Sequence, residues 1–145
     1  MEAPGLLPLS RTGISALEVA LRVAEEAGQT LMTRLPDEKQ VSYKGRANLV
    51  SDVDMLVEKQ VIDELHGEFP DDGFLAEESE PVSSTSGYTW IIDPLDGTRN
   101  YILGIPFFCV LIALAKDDDV LLGLTYDPVR QEMFQAVKGG GAFLN

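Results

Sequence analysis

The spacing of apolar residues changes near Pro70, and this change limits which folds the chain can adopt. Between residues 14 and 35, apolar residues recur every three or four positions with charged residues between them, which predicts an amphipathic helix ended by Pro36. A second helix is predicted to begin at Ser51, where Ser-Asp-Val-Asp forms a capping-box pattern, and to continue to about Gly67. Residues 37–50 are predicted to be loop or strand.

After Pro70, apolar residues come in short runs bounded by Gly, Pro or Asp, which is typical of strands. The runs cover residues 73–76, 89–92, 107–115, 120–126 and 132–137. Two helices followed by about five strands predict an α+β fold, with the helices packed on a mostly antiparallel sheet. We expect residues 1–145 to form one domain. The last residues read as a turn entering another strand, so we also expect the chain to be a truncation of a longer protein.

The charge of the chain excludes some classes of partner. It has 24 acidic and 11 basic residues and a formal net charge of −13, which argues against binding to nucleic acid or an anionic membrane. The single cysteine, Cys109, excludes a disulfide scaffold and fits a reducing compartment, so we expect a cytoplasmic protein. Residues 52–80 hold eleven carboxylates, and we expect most of them to lie on a solvated surface.

Residues 90–100, Trp-Ile-Ile-Asp-Pro-Leu-Asp-Gly-Thr-Arg-Asn, carry the clearest chemical pattern. An apolar strand is predicted to end at Asp93, because Pro94 cannot donate a backbone hydrogen bond. Asp93, Asp96 and the carbonyl of Leu95 can converge on a hard cation such as Mg²⁺. Asp96 could also cap a short helix whose first N–H groups bind an anion. An Asp-Pro turn followed by an Asp-Gly turn would explain the same residues without a metal.

Two further acidic elements could join this one. Glu77 and Glu78 follow the predicted strand 73–76, and neighbouring strand residues face opposite sides. We therefore predict Glu77 as a metal ligand and Glu78 as a residue that supports it, although strand-end glutamates usually lie on the surface. Asp54 is either the capping-box carboxylate of the second helix or the group that orients the Thr98 hydroxyl.

Together these elements resemble the inositol monophosphatase family, whose superfamily includes fructose-1,6-bisphosphatases and 3′-phosphoadenosine-5′-phosphate phosphatases. The resemblance runs from Lys44 to Asn145 through residues 44–54, 76–78, 90–100 and 139–143, in the family's order. The chain departs from the family pattern at Asn48, where Asp is commoner, at Ser51, where Thr is frequent, and at Arg99, where Thr or Lys is frequent.

The resemblance implies a site for two Mg²⁺ ions. Glu77, Asp93 and the Leu95 carbonyl would hold one ion, and Asp93 would bridge to a second ion held by Asp96. Asp54 and Thr98 would act in catalysis with Glu77 by preparing a water for attack. Asp96, Gly97 and Thr98 would contact the phosphate, and Glu78 and Lys44 would lie behind the ligands. Four positive charges against three carboxylates would let an acidic protein attract a phosphate ester.

The resemblance further implies a Mg²⁺-dependent phosphomonoesterase, which hydrolyses inositol monophosphate or another small phosphorylated alcohol and forms a homodimer. The alternatives are fructose 1,6-bisphosphate, 3′-phosphoadenosine-5′-phosphate or histidinol phosphate as substrate. A further alternative is an inactive fragment or a domain that only binds divalent ions. The resemblance also implies a second, C-terminal α/β domain that these residues lack and that supplies another metal-binding Asp. For these 145 residues alone we therefore expect weak metal binding and little turnover.

Overall fold

The computed structural model describes residues 7–44 and 49–145, so Asn48 lies outside the described residues. Its elements, in chain order, are α1 (Ala16–Arg34), β1 (Val41–Tyr43), β2 (Leu49–Ser51), α2 (Asp52–Glu68), β3 (Gly73–Ala76), β4 (Tyr88–Asp96), α3 (Thr98–Ile102), β5 (Cys109–Lys116), β6 (Asp119–Asp127), β7 (Glu132–Val137) and β8 (Gly141–Leu144).

The sheet has six strands in the order β3-β4-β5-β6-β7-β8. Every neighbouring pair is antiparallel except β3 and β4, which are parallel with Ala76 opposite Ile92. Strands β1 and β2 form a separate antiparallel pair. The prediction of an α+β fold with a mostly antiparallel sheet is confirmed, and the parallel pair is an addition to it.

Both long helices begin after a serine N-cap and pack on one face of the sheet. The Ser15 hydroxyl accepts a hydrogen bond from the Glu18 N–H at the start of α1. The capping box at Ser51 starts α2. Fully buried side chains come from both helices and from the covered sheet face, among them Val19, Val23, Leu31, Val57, Val61, Leu65, Trp90, Ile112, Leu114 and Leu122. Burial of this shared apolar surface is the main term that stabilises the fold.

The junction between β4 and α3 differs from the sequence prediction in two respects. Strand β4 does not end at Asp93 but continues to Asp96, which pairs with Cys109 after a shift in register. A bulge lets the strand pass Pro94 and resume its pairing afterwards. Gly97, not Asp96, is the N-cap of α3, and its φ of 92° is one that glycine adopts without a Cβ clash.

The other long face of the sheet carries exposed apolar side chains. Ile91, Phe134 and Leu144 are exposed by 38%, 45% and 54%, and Leu144 pairs with Phe134 across β7 and β8. Ile91 and Phe134 lie along a cavity of about 690 Å³. Within residues 7–44 and 49–145, none of the helices combines the length and the apolar character needed to cross a membrane.

Candidate active site

The parallel pairing of β3 and β4 brings two predicted metal ligands to the same edge of the sheet. Ala76 pairs with Ile92, so the next residues, Glu77 directly after β3 and Asp93 within β4, lie at neighbouring positions. The carboxyl ends of parallel strands are a common position for ligand sites in proteins. The bulge after Asp93 then turns the chain into α3, which places Thr98 beside the same edge.

The carboxyl groups of Glu77 and Asp93 interact strongly. Burial raises the pKa of Asp93 to about 7, with further contributions from the charge and hydrogen bond of Glu77 and the charge of Asp96. The backbone N–H of Leu95 donates to Asp93 Oδ1 at 3.3 Å and lowers the pKa by a smaller amount. Several carboxylates therefore repel one another at this position, and a bound cation would reduce that repulsion.

The donor set fits a hard cation in its chemistry. Carboxylate and carbonyl oxygens are the ligands that Mg²⁺ prefers, and Glu77, Asp93 and the Leu95 carbonyl supply them. The third carboxylate is not gathered with this pair: Asp96 is exposed, and its Oδ2 lies 3.9 Å from Cys109 Sγ. Accordingly, the part of the chain that the structure describes contains no group of three His, Cys, Asp or Glu side chains arranged to hold a metal.

Asp54 performs both of the roles that the sequence left open. One of its carboxylate oxygens, Oδ2, accepts hydrogen bonds from the Ser51 N–H at 2.9 Å and from the Ser51 hydroxyl. The other oxygen, Oδ1, accepts a hydrogen bond from the Thr98 hydroxyl at 2.8 Å. The side chain is buried, so the cap of α2 and the orientation of Thr98 depend on the same rigid group. The Leu95 carbonyl is a second acceptor for Thr98, at 3.2 Å.

Lys44 lies behind the predicted ligands and contacts both glutamates. Its Nζ is 2.6 Å from Glu78 Oε1 and 3.5 Å from Glu77 Oε1. Burial lowers the pKa of Lys44, but the hydrogen bonds and charges of Glu78 and Glu77 outweigh it and raise the pKa overall. The two glutamates differ in environment, since the side chain of Glu78 is 5% exposed and that of Glu77 is 50% exposed.

A second cavity, of about 530 Å³, adjoins Asp96 and Gly97. Phe107 and Arg130 lie on its wall, with the Arg130 guanidinium 5.6 Å from the centre of the Phe107 ring. Arg130 also pairs with Asp127 at 2.9 Å. The turn that carries Asp96 and Gly97 therefore borders an open space lined by an aromatic ring and a cation.

Besides Asp54, two of the eleven carboxylates in residues 52–80, most of which we expected on a solvated surface, are buried. Glu58 and Asp72 are 1% and 6% exposed; Glu58 lies beside the site, and Asp72 lies at the opposite end of β3. Asp72 accepts hydrogen bonds from Trp90 Nε1 and the Ser86 hydroxyl, and Glu58 accepts them from residues 78 and 79. A detectable signal existed for Glu58, since it falls one helical turn after Asp54 on the apolar face that continues through Val61.

Comparison with known proteins identifies the family of the chain. The model of the inositol monophosphatase family matches residues 15–145, and the chain belongs to that family. It is 40% identical over 133 residues to an inositol monophosphatase of Dictyostelium discoideum, which covers 89% of this chain and 49% of that protein.

Solved structures agree at the level of the fold. The extragenic suppressor protein suhB from Bartonella henselae superposes with a TM-score of 0.87 and 42% identity, over 89% of this chain and 51% of that one. An IMPase/NADP phosphatase complexed with NADP and Ca²⁺ superposes with a TM-score of 0.78 and 25% identity, over 88% of this chain and 50% of that one. The chain thus spans about half the length of the relatives it matches.

Proposed function

We propose that the protein containing these residues is a Mg²⁺-dependent phosphomonoesterase that hydrolyses a small phosphorylated alcohol, with inositol monophosphate as the first candidate. The observation that carries the proposal is the meeting of Glu77 and Asp93 at one sheet edge, beside the hydrogen-bonded pair of Thr98 and Asp54. Family membership supports the reaction class.

The residues of the site would bind the metal ions and activate the attacking water. When bound, Mg²⁺ supplies positive charge for the phosphate and makes a nearby water more acidic. Glu77, Asp93 and the Leu95 carbonyl would hold it, and Asp96 would bind a second ion. The Thr98 hydroxyl has a single proton, which it donates to Asp54 at 2.8 Å. Its oxygen lone pairs can therefore accept a hydrogen bond from an attacking water. As the water attacks, its proton would pass to Thr98 Oγ1 while the Thr98 proton passes to Asp54, so that the carboxylate takes up the proton.

Gly97 and Thr98 would receive the phosphate through their backbone N–H groups. A Cβ at residue 97 would lie 2.9 Å from the Phe107 carbonyl oxygen, so only glycine allows the chain to turn this closely. The choice among phosphate esters remains open, and fructose 1,6-bisphosphate, 3′-phosphoadenosine-5′-phosphate and histidinol phosphate are the alternatives. One structural relative, an IMPase/NADP phosphatase, is complexed with NADP, which supports keeping larger phosphate esters among the candidates.

The experiment measures phosphate release from inositol 1-phosphate and Mg²⁺ binding by calorimetry. We expect any release to require Mg²⁺ and Asp93→Asn to abolish it, because that change removes a ligand charge. The control is Asp63→Asn, an exposed aspartate on α2 that pairs with Lys59 at 2.5 Å, away from the site. A rate of phosphate release that depends neither on Mg²⁺ nor on the Asp93→Asn substitution would overturn the mechanism. Metal binding without turnover would favour the alternative of a divalent-ion-binding domain.

The location and assembly of the protein are predictions of the same kind. A single, half-buried cysteine fits a reducing compartment, which supports a cytoplasmic location. The family resemblance supports a homodimer, and sedimentation of the purified protein would test it.

A further inference from the structure

Glu58 is a buried carboxylate that binds the chain segment carrying Glu77. It lies on the inner face of α2 and is 1% exposed. Its Oε2 accepts a hydrogen bond from the Glu78 N–H at 2.8 Å, and its Oε1 accepts one from the Ser79 hydroxyl. Both oxygens therefore act on the two residues that directly follow Glu77.

The segment of residues 77–79 needs this support because the sheet does not provide it. Strand β3 ends at Ala76, where its pairing with β4 also ends, and the next three residues form a bend. The Glu77 side chain is half exposed, and Lys44 contacts it only at 3.5 Å. Its direction is therefore set mainly by the backbone that carries it.

Helix α2 contacts both halves of the candidate site through one face. Asp54 and Glu58 lie four residues apart, so their side chains project from the same side of the helix. Asp54 binds Thr98 on one side of the site, and Glu58 binds the bend after Glu77 on the other. Helix α2 therefore fixes the position of Thr98 relative to the bend that follows Glu77.

We propose that Glu58 is a positioning residue that holds the bend at residues 77–79 so that Glu77 faces Asp93 and can share a cation with it. This inference rests on the function proposed above. Hydrogen bonds to a carboxylate are stronger than those between neutral groups, and a support of this kind typically changes metal affinity by about 10- to 100-fold.

The chemistry of Glu58 suggests an informative pair of substitutions. In Glu58→Gln, the amide oxygen can still accept from the Glu78 N–H, and the amide nitrogen can donate to the Ser79 oxygen. In Glu58→Met, the side chain keeps a similar length but offers no comparable acceptor, so the bend loses both bonds. Glu64→Met is the matched control, because it makes the same change on α2 at a position that faces Glu26 of α1.

The test measures Mn²⁺ affinity of the 145-residue chain by electron paramagnetic resonance, together with the amide signal of Glu78 by nuclear magnetic resonance. We expect Glu58→Met to weaken Mn²⁺ binding by about 10-fold or more. It should also shift the Glu78 amide proton upfield and speed its exchange with solvent. Glu58→Gln should stay within about threefold of the unsubstituted chain, and Glu64→Met should bind Mn²⁺ as that chain does.

The outcomes separate this inference from the proposed function. Unchanged Mn²⁺ affinity in a folded Glu58→Met variant would overturn the inference alone. The Glu78 amide gives a reading that does not need the metal, so an unchanged shift and exchange rate in Glu58→Met would overturn the inference even if the unsubstituted chain binds no Mn²⁺. If Glu58→Met does not fold, Ser79→Ala removes one of the two bonds from an exposed residue. We then expect Mn²⁺ affinity to fall about threefold, and no fall would overturn the inference.

Discussion

Single residues at this site carry two functions at once, and Asp54 is the clearest case. Its carboxylate closes the capping box of α2 through one oxygen and binds Thr98 through the other. A carboxylate has enough lone pairs for both roles, so a structural interpretation of a residue does not exclude a catalytic one. Substitution of Asp54 would consequently remove the cap of α2 and the bond to Thr98 together, and under the proposed function it would change helix stability and catalysis at once.

Cys109 offers a pH-dependent probe of the same region. Burial, followed by the charges of Asp96 and Asp93, raises the pKa of its thiol to about 11. Only about one thiol in a thousand is then a thiolate at pH 8, so alkylation by iodoacetamide should be about 100-fold slower than for a free thiol. The rate should rise about tenfold per pH unit between pH 7 and 10. Mass spectrometry of the time course would measure it.

The control for Cys109 is the same chain in urea, where the thiol returns to its ordinary pKa. Folded and unfolded chains that react equally fast at pH 7 would contradict the prediction, because the carboxylates and burial would then have no effect on the thiol.

At the scale of elements, the junction of β4 and α3 depends on Gly97. Its φ is 92°, and a Cβ there would also lie 2.9 Å from the backbone oxygen of Phe107. Gly97→Ala should lower the free energy of unfolding by about 1–3 kcal/mol. Gly104→Ala is the control, since its φ is 72° but a Cβ would meet nothing within 4 Å.

Urea unfolding followed by circular dichroism would measure both variants. The difference between Gly97→Ala and Gly104→Ala isolates the cost of the close backbone contact from that of the left-handed conformation. Equal losses in the two variants would show that the contact with Phe107 costs nothing.

The contact between α1 and α2 contains an acidic pair that should make stability depend on pH. Burial, then the hydrogen bond and charge of Glu26, raise the pKa of Glu64 from 4.5 to about 7. Between these values the folded chain keeps a proton that the unfolded chain releases, so stability falls as pH rises through this window. Because Glu64 is partly exposed, we expect the loss to be about 1 kcal/mol after solvent screening.

Glu64→Gln tests this prediction by removing the titrating group while keeping its size. The variant should match the unsubstituted chain at pH 4.5 and exceed it in unfolding free energy at pH 8. Urea unfolding at the two pH values measures the difference. A stability gain that is the same at both values would point to packing instead of titration.

For the molecule as a whole, the two faces of the sheet are unequal. One face is buried under α1 and α2, while the other presents the exposed side chains of Ile91, Phe134 and Leu144. Strand β8 also forms an edge of the sheet, beside β7. Exposed apolar patches and open edges favour association between chains.

We therefore expect the 145-residue chain to self-associate with increasing concentration. The double substitution Phe134→Gln and Leu144→Gln should reduce association, because it removes two exposed apolar groups that lie opposite each other on this face. Sedimentation velocity at several concentrations measures the effect. Leu9→Gln is the control, since Leu9 is 61% exposed at a distant position in the chain. Equal association in the double variant would exclude this face as the contact.

Much of the fold could be predicted from local patterns. The spacing of apolar residues predicted helices at 14–35 and from Ser51 to about Gly67, and α1 and α2 occupy Ala16–Arg34 and Asp52–Glu68. The apolar runs predicted the strands that became β3 to β7, and the resemblance predicted the family that the comparison confirmed. These helices and strands depend on a few neighbouring residues, so the local sequence is enough to predict them.

Other features depend on contacts between distant residues, and only the folded chain decides them. The parallel pairing of β3 and β4, which sets Glu77 beside Asp93, follows from how the strands pack under the helices. The bulge after Asp93 arises because the pairing with β5 resumes at Cys109 despite Pro94. The sequence does not distinguish Glu58 from other acidic helix residues, because its role depends on the contact between α2 and the segment after β3. Residue types and local spacing therefore determine which elements form, whereas long-range packing determines which side chains meet.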